Sequence, residues 1–324
     1  MTKLSDNYSS QAPTLLNRVM NPDLTVSLGP LPLKNPVLVA SGTFGYGTEY
    51  AALFDVSQLG GIIVKTITPK PRAGNPAPRI WEVAGGMLNS IGLANVGVDA
   101  FIQEKLPALR GIGTTVIVNI AGSTVEEYWE VVEKLDSHAG FDAYEINISC
   151  PNVKDEGMAF GSNCAATEQV IKGVRERTLR PVISKLTPNV TSIADIARAC
   201  EGAGADALSL INTVVGMAVE VGTRRPRIAT VTGGYSGPPI KPIALAKLHE
   251  VRRAVSLPLI GIGGITNTED ALEFIITGAC AVQVGTANYV QPKTGLEIIA
   301  GLKTYCEKEK IARIQDLVGT LQIQ

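Results

Sequence analysis

The chain has 324 residues, of which 45% are hydrophobic and 18% are charged, and its formal net charge is −1. This length and hydrophobic share suffice for one large α/β domain, or two smaller ones, with a sizeable core. The near-zero charge argues against a protein whose bulk charge attracts nucleic acid or an anionic membrane.

The cysteines, histidines and apolar stretches restrict the class of protein further. The five cysteines are scattered without a CxxC pair, and there are two histidines, His138 and His249. This pattern argues against a disulfide framework and against a zinc or iron–sulfur site in this chain, so we expect no metal site. The N-terminus lacks an apolar signal region, and no apolar run approaches the length of a membrane helix. We therefore expect a cytoplasmic protein with reduced thiols.

A polar arm at residues 1–22 and a short hairpin at 24–36, with Gly29–Pro30 as its turn, open the chain. Strands and helices then alternate. The predicted strands cover residues 36–44, 61–68, 114–122, 143–150, 181–188, 205–214, 258–265 and 280–287. The predicted helices cover residues 48–61, 97–110, a stretch that opens at 123–124, and 164–178, 191–203, 241–255, 267–277 and 294–308. Two Gly- and Pro-rich segments, 69–97 and 215–239, are predicted to be long loops.

The order of these elements leaves two architectures open, a (β/α)8 TIM barrel and a doubly wound parallel sheet. The strands are continuous apolar runs, as expected when both faces of a strand are covered. The barrel uses all eight strands, whereas the turn after the first strand, SGTFGYG at 41–47, lacks the GxGxxG pattern of a dinucleotide-binding sheet. We therefore predict one α/β domain over 23–324, a (β/α)8 barrel with an N-terminal hairpin and long loops after strands 2 and 6.

Glycines end the last two predicted strands. Active sites of β/α barrels lie at the carboxyl ends of the strands, and the phosphate of a ligand commonly binds after strands seven and eight. Gly263 and Gly264 follow the seventh strand, and Gly285 and Thr286 follow the eighth. Tight turns also need glycine, but two such turns together favour exposed backbone N–H groups that bind a phosphate.

Lys65 and Lys185 each end an apolar strand, in the runs IIVK and VISK. A lysine in this position is unfavourable unless it meets an anion or a polar ligand, although its head could also extend into solvent. Two lysines at matched positions favour a shared, electron-rich anionic ring as the ligand.

Three amide side chains, Asn119, Asn147 and Asn212, also end predicted barrel strands. One such asparagine is ordinarily a turn residue. Three that converge on one mouth favour a planar, imide-like ligand, because each amide offers both a donor and an acceptor.

Cys150 is the candidate for acid–base or nucleophilic chemistry. It ends the strand YEINISC just before Pro151, whereas an ordinary structural cysteine would be buried and inert. Ser149 has no assigned role beyond capping the turn. No Ser–His–Asp triad can be assembled from the strand ends.

Taken together, the motifs resemble one known family, dihydroorotate dehydrogenase, over residues 24 to 305. The matching motifs are NISCPN at 147–152, VKTIT at 64–68, NSIGLAN at 89–95, SKLTPN at 184–189, INT at 211–213, and the GIGG and VGTA turns. The cysteine in NISCPN resembles the soluble class 1 enzymes rather than the membrane-bound class 2 enzymes. The segments ASGTFGYGTEY and NIAGSTVEEY resemble the NAD-dependent 1B type, with the fumarate-using 1A type as the alternative.

The resemblance implies oxidation of dihydroorotate to orotate in de novo pyrimidine (UMP) biosynthesis. A hydride passes from C6 to N5 of FMN, and Cys150 matches the base that takes the proton from C5. Lys65 matches the lysine between flavin and orotate. The positions matching orotate contacts are Lys65, Asn89, Ile91, Gly92, Leu93, Asn147, Asn152, Asn212 and Thr213. The positions matching FMN contacts are Ala40, Ser41, Lys65, Thr66, Asn119, Asn147, Lys185, Ile211, Gly237, Gly263, Gly264, Gly285 and Thr286.

The resemblance also implies a partner and a mobile loop. The 1B type pairs with a subunit that carries FAD and a [2Fe–2S] cluster, so we expect a homodimer within a heterotetramer. The segment 152–163, with Gly157 and Gly161 as hinges, is predicted to be a lid over the substrate. Two alternatives remain at this point, a non-catalytic barrel that binds a phosphate ligand and a flavin-dependent reductase of uracil or tRNA uridine.

Overall fold

The structure is a computed structural model that describes residues 21–149 and 160–323. The strands within these ranges are β1 (Val26–Leu28), β2 (Leu31–Leu33), β3 (Val37–Val39), β4 (Gly61–Ile67), β5 (Ile80–Val83), β6 (Gly86–Asn89), β7 (Thr115–Ile120), β8 (Ala143–Asn147), β9 (Val182–Leu186), β10 (Ala207–Leu210), β11 (Val214–Met217), β12 (Val219–Glu220), β13 (Arg225–Pro226), β14 (Thr232–Ser236), β15 (Leu259–Ile262) and β16 (Ala279–Val284). The α-helices are α1 (Val98–Ala100), α2 (Leu106–Leu109), α3 (Val125–Leu135), α4 (Cys164–Arg175), α5 (Ile193–Gly202), α6 (Lys241–Arg252), α7 (Thr268–Thr277), α8 (Ala287–Val290) and α9 (Thr294–Glu309).

Eight strands of the described chain close into a parallel barrel, in the order β3, β4, β7, β8, β9, β10, β15, β16 and back to β3. Each strand therefore pairs with the next barrel strand along the chain, which is the topology of a (β/α)8 barrel. The predicted fold class is confirmed.

Four of the helices, α3, α4, α5 and α7, combine a side-chain cap at the first turn with an apolar face. In α3, the side chain of Thr124 accepts a hydrogen bond from the N–H of Glu127, and two acidic residues lie in the first turn, where they suit the helix dipole. The buried residues of α3 recur at helical spacing and pack toward the barrel: Val125, Tyr128, Val131, Val132 and Leu135.

The predicted hairpin is present as β1 and β2, with Gly29 in a left-handed conformation at φ +59°. A Cβ on Gly29 would lie 3.1 Å from the carbonyl oxygen of Asp206, which immediately precedes β10. The hairpin therefore packs near the amino-terminal end of the barrel, away from the predicted site.

The predicted helix at 48–61 is wrong. This stretch forms turns and a short 3-10 helix, Val56–Gln58, because its side chains fold back on the loop itself. The ring of Tyr50 stacks on Phe44 with centroids 4.0 Å apart, and the Glu49 carboxylate accepts a hydrogen bond from the backbone N–H of Tyr46 at 2.9 Å.

The two segments predicted as long loops contain regular structure. Together they form a four-stranded antiparallel sheet in the order β11, β14, β6, β5, and residues of the second segment form the β12–β13 ribbon. The long segments after the second and sixth barrel strands are present as predicted, but their strands were not predicted, because β14 reads TGGYS, a sequence with little apolar periodicity. We call the four-stranded sheet the accessory sheet.

Residues 1–20 of the predicted arm lie outside the described part of the chain, so the division into an arm and a domain over 23–324 stays a prediction. The domain's first residue, Asp23, donates its N–H to Ala312 O at 2.8 Å and accepts at its carbonyl oxygen from Ile314 N–H at 2.9 Å. Among the described residues, no helix has the length and apolar character needed to cross a membrane.

Candidate active site

The predicted strand-end residues lie in, or directly after, the barrel strands. They are Ala40 and Ser41 after β3, Lys65 and Thr66 in β4, Asn119 in β7, Asn147 in β8, Lys185 in β9, Ile211, Asn212 and Thr213 after β10, Gly263 and Gly264 after β15, and Gly285 and Thr286 after β16. Because all barrel strands are parallel, their carboxyl ends meet at one mouth, where the site residues of this fold are found.

Asn147 and Asn212 form a hydrogen-bonded cluster with Ser149. The Nδ2 of Asn212 donates to Asn147 Oδ1 at 3.2 Å and to Ser149 Oγ at 2.9 Å. Asn147 Oδ1 also accepts from the N–H of Ser149 at 3.2 Å, and Asn212 Oδ1 accepts from the N–H of Thr213 at 2.9 Å. These bonds link the ends of β8 and β10, and they give Ser149 a partner that the sequence did not predict.

The third predicted amide, Asn119, lies in a separate and deeper cluster. It is fully buried, and its Nδ2 donates to Oε1 of Glu145 at 2.7 Å. Glu145 is also fully buried and is 3.4 Å from Lys185 Nζ. Its other oxygen, Oε2, accepts from Ser209 Oγ at 2.9 Å and from Gln283 Nε2 at 2.7 Å. We call Asn119, Glu145, Lys185, Ser209 and Gln283 the floor of the site.

Sequence reasoning missed three of the floor residues, Glu145, Ser209 and Gln283. A signal was nevertheless available, because each of them interrupts an apolar barrel strand: AYEIN, ALSL and ACAVQV. A charged or polar residue inside such a run is unfavourable unless it is hydrogen-bonded, which predicts partners on neighbouring strands.

The accessory sheet positions Asn89 above the mouth. Asn89 ends β6 and is paired with Gly234 of β14, whose carbonyl oxygen accepts from Asn89 Nδ2 at 3.2 Å. A Cβ on Gly234 would lie 2.0 Å from Oγ1 of Thr213, so this position requires glycine. The close approach brings the strand that carries Asn89 next to Thr213, another predicted substrate contact.

The turn that follows Asn89 has a constrained backbone. Gly92 and Leu93 both have positive φ values, +73° and +55°. Asn95 holds this turn, because its Nδ2 donates to Leu93 O at 2.7 Å and to Thr68 Oγ1 at 2.8 Å, while its Oδ1 accepts from Gly97 N–H at 2.8 Å. Asn95 thereby fixes the turn to the end of β4; the sequence analysis did not identify it.

Lys65 is half-buried at the mouth. Burial lowers the pKa of its ammonium group below the ordinary value of 10.5, and the nearby positive charge of Arg79 lowers this pKa further. Arg79 is itself held in place by the carbonyl oxygens of Ala73 and Asn75, at 3.1 and 3.3 Å. An anionic ligand beside Lys65 would therefore stabilise its ammonium group.

Glycines lie in the turns after β15 and β16 at the mouth. Gly264 has φ +74°, and a Cβ there would lie 2.9 Å from Lys241 Cβ and 3.0 Å from Gly237 O. A Cβ on Gly285 would meet no atom closer than Ala40 Cβ, at 3.8 Å. Turns without side chains allow a phosphate group to approach backbone N–H groups, so this geometry fits the predicted phosphate site.

Cys150 and Asn152 lie outside the described residues, as does Gly157, one of the predicted hinges. The other predicted hinge, Gly161, is described: it is buried, and its N–H donates to Ile148 O at 2.7 Å. This bond holds the last part of the predicted lid segment, at Gly161, against the end of β8.

The four described cysteines differ in their exposure and are not grouped with other metal-binding side chains. Across the described ranges, no group of three or more His, Cys, Asp or Glu residues is arranged to hold a metal ion. Cys200 and Cys306 are buried, and burial raises the pKa of Cys200 to about 12. Cys164 differs in being exposed, at the start of α4.

Comparison with known proteins agrees with this arrangement. The family model for dihydroorotate dehydrogenase matches residues 23–305. The chain belongs to the dihydroorotate dehydrogenase family. The resemblance drawn from the sequence motifs is thus confirmed, and the match covers all the barrel strands.

Similar proteins of this family are known in several bacteria. A protein of Geotalea uraniireducens is 54% identical over 300 residues, which cover 93% of this chain and 98% of that protein. One from Pelobacter propionicus is 53% identical over 303 residues, and one from Geobacter sulfurreducens is 52% identical over 305 residues; both alignments cover 94% of this chain and 100% of the relative. All three are named dihydroorotate dehydrogenase B (NAD(+)), catalytic subunit. These names agree with the predicted 1B type and not with the fumarate-using alternative.

Proposed function

We propose that this chain catalyses the oxidation of dihydroorotate to orotate in pyrimidine biosynthesis, as the catalytic subunit of an NAD-dependent, class 1B enzyme. The observation that carries the proposal is the cluster of Asn147, Ser149 and Asn212 at the mouth, directly above a buried lysine–carboxylate pair. Relatives with more than half of their residues identical, named for this activity, support it.

The residues at the mouth fit FMN as the resident cofactor. The glycine turns after β15 and β16 suit the approach of its phosphate to backbone N–H groups, and the buried ammonium of Lys185 suits an electron-rich ring. When bound, FMN supplies the acceptor for the hydride that leaves C6 of dihydroorotate. The proposed contacts to FMN are those implied by the resemblance: Ala40, Ser41, Lys65, Thr66, Asn119, Asn147, Lys185, Ile211, Gly237, Gly263, Gly264, Gly285 and Thr286.

The chain's own residues bind and orient the pyrimidine. Asn147 and Asn212 hold each other through one hydrogen bond and keep further donor and acceptor capacity for the imide edge of the ring. Lys65, with its lowered pKa and no carboxylate partner among the described residues, is suited to the substrate's negative charge. The proposed substrate contacts are Lys65, Asn89, Ile91, Gly92, Leu93, Asn147, Asn152, Asn212 and Thr213.

Cys150 is the proposed base, and it removes the proton from C5. A thiol accepts a proton only as thiolate, so the reaction requires Cys150 to be ionised at least transiently. In the sequence, Cys150 follows Ser149, whose hydroxyl belongs to the amide cluster. The proposed base is therefore adjacent in sequence to a member of the cluster that would hold the substrate ring.

The electrons leave through a partner in this proposal. A subunit with FAD and a [2Fe–2S] cluster would pass them to NAD, in a cytoplasmic heterotetramer built on a homodimer of this chain. The name "catalytic subunit" of the relatives supports a partner subunit. The chain's own cysteine pattern, without a CxxC pair, supports a cluster carried elsewhere.

Activity of the purified chain with different acceptors tests this proposal. We expect the flavin-loaded chain alone to reduce a dye with dihydroorotate, and to reduce NAD only when the partner subunit is added. Efficient use of fumarate without a partner would point to the 1A type. Activity with dihydrouracil and none with dihydroorotate, or failure to bind FMN at all, would contradict the proposed substrate and cofactor. Native mass spectrometry gives the number of copies of each subunit.

A further inference from the structure

The floor of the site contains a carboxylate that the proposed reaction does not use. Glu145 lies in the middle of β8 and is fully buried in the barrel. Four donors from four other barrel strands converge on it: Asn119 Nδ2 and Lys185 Nζ on Oε1, and Ser209 Oγ and Gln283 Nε2 on Oε2. The two amides and the ammonium group direct donors at the carboxylate, and the serine hydroxyl can donate as well, so the geometry fits the charged form.

Packing does not explain this charge. A buried ion pair commonly stabilises a fold no better than apolar residues of the same volume, and the surrounding strands are apolar. A carboxylate with four donors in a barrel core therefore has another use. Its position points to that use, because its ionic partner is Lys185, which is 6% exposed and lies near the carboxyl end of β9.

The ammonium group of Lys185 makes one hydrogen bond, to Glu145, and remains available to a ligand. Its distance to Glu145 Oε1 is 3.4 Å, longer than the 2.7–2.9 Å of the three other contacts to this carboxylate. An ammonium group has three N–H donors, and Glu145 is its hydrogen-bond acceptor within the described chain. The remaining donors have no acceptor in the described part of the chain, so they are available to the proposed cofactor.

We propose that Glu145 is a positioning residue that sets the reduction potential of the bound flavin by fixing and partly neutralising Lys185. This inference rests on the proposed function, because it needs a flavin above the floor. An unpaired lysine there would stabilise the extra negative charge of the reduced ring strongly. The carboxylate beneath the lysine opposes that charge, so it keeps the potential lower than Lys185 alone would set it.

Redox titration of the FMN-loaded chain tests the proposal through the opposite signs of two variants. Glu145→Gln removes the negative charge, and we expect the midpoint potential to rise. Lys185→Met removes the positive charge, and we expect the potential to fall. At a fixed solution potential, each change should alter the ratio of reduced to oxidised flavin by about tenfold. This corresponds to a shift in the midpoint potential of about 30 mV for a two-electron couple. The double variant should lie between the two single variants.

Ser209→Ala is the matched control, because it removes one hydrogen bond from the same carboxylate without changing any charge. It should leave the potential near the wild-type value, even if it lowers thermal stability as much as Glu145→Gln does. If Glu145→Gln binds FMN with the wild-type potential or a lower one, Glu145 has only a structural role and the proposal fails.

A second comparison covers the case in which Glu145→Gln does not fold. Lys185→Met leaves the carboxylate alone beneath the flavin, and the double variant removes it. The double variant should therefore have a higher potential than Lys185→Met, and equal potentials would overturn the proposal. FMN binding, measured by quenching of flavin fluorescence on the apo-protein, is determined first. A wild-type chain that binds no FMN contradicts the proposed function instead, so the two failures are distinguishable.

Discussion

The floor and the rim of this site are built in different ways. The floor residues all lie on barrel strands, they are 0–6% exposed, and each of the other four contacts the Glu145 carboxylate. The rim comprises the turn at 89–95, Asn212 and Thr213, which are mostly half-buried and lie on loops and on the accessory sheet. The barrel thus provides a fixed, charged base for a cofactor, whereas the substrate side is assembled from segments far apart in sequence.

Substitutions in the floor and in the rim should therefore have different effects. A change of charge in the floor should alter the properties of the bound flavin, and a change in the rim should alter substrate binding while the flavin stays in place. Cys150 and its neighbours lie in sequence at the junction between the two, since they follow β8, which carries both Glu145 and Asn147.

The largest effect is expected for Cys150→Ala. Loss of a general base typically costs about 10²–10⁴ in rate, so most dihydroorotate oxidation near neutral pH should disappear. FMN should stay bound, because no floor residue is changed; absorbance of the flavin and steady-state rates measure both quantities. The matched control is Cys164→Ala, at an exposed thiol, which should leave the rate unchanged. A Cys150→Ala enzyme of near-normal rate would show that another group takes the proton.

A smaller loss is expected for Asn212→Ala in the rim. This change removes the donor to Asn147 and Ser149 as well as a proposed substrate contact. Transition-state stabilisation should therefore decrease by about 1–3 kcal/mol, which is measured as a lower kcat/KM. The flavin potential should not move. Ser149→Ala, which removes only one acceptor of the same cluster, should cost less. Loss of FMN from the Asn212→Ala enzyme would contradict the division between rim and floor.

The barrel could be predicted from sequence because its strands and helices carry local signals. Apolar runs of strand length recur between capped helices, as at Thr124 and α3. The accessory sheet could not, because its strands are short and β14 contains adjacent glycines at 233–234. These glycines are required by contact with Thr213 and other distant residues, and such contacts leave no periodic pattern in the sequence.

The candidate site shows the same limit. Lys65, Lys185, Asn147 and Asn212 were predictable because polar residues at the ends of apolar strands suggest a ligand. Glu145 interrupts an apolar strand, which was a signal for buried partners, but those partners come from four other strands and only the closed barrel brings them together. The first predicted helix failed for a related reason, since the aromatic stack of Phe44 and Tyr50 outweighs local helix propensity.

A moderate effect is expected for Gly264→Ala at the proposed phosphate turn. The positive φ of this residue and the Cβ contact of 2.9 Å with Lys241 Cβ predict strain of about 1–3 kcal/mol. FMN affinity should therefore fall, as measured by titration of the apo-protein, while orotate affinity of the fully loaded enzyme stays the same. Gly202→Ala is the control, because a Cβ there meets nothing within 4 Å. Unchanged FMN affinity in Gly264→Ala would place the phosphate elsewhere.

The smallest effect concerns the pH dependence of orotate binding through Lys65. Orotate is an anion and binds best to the protonated lysine, so its affinity should fall as pH rises through the pKa of Lys65. Because burial and Arg79 lower this pKa below 10.5, the fall should begin at a lower pH than an ordinary lysine would give, with a limiting slope of about tenfold per pH unit. Flavin absorbance changes report binding, and the Cys150→Ala background removes titration of that thiol. Lys65→Met should bind orotate weakly with a flat profile, whereas Lys70→Met, at an exposed lysine, should keep the wild-type profile. A profile in Lys65→Met as steep as the wild type would assign the titration to another group of the rim.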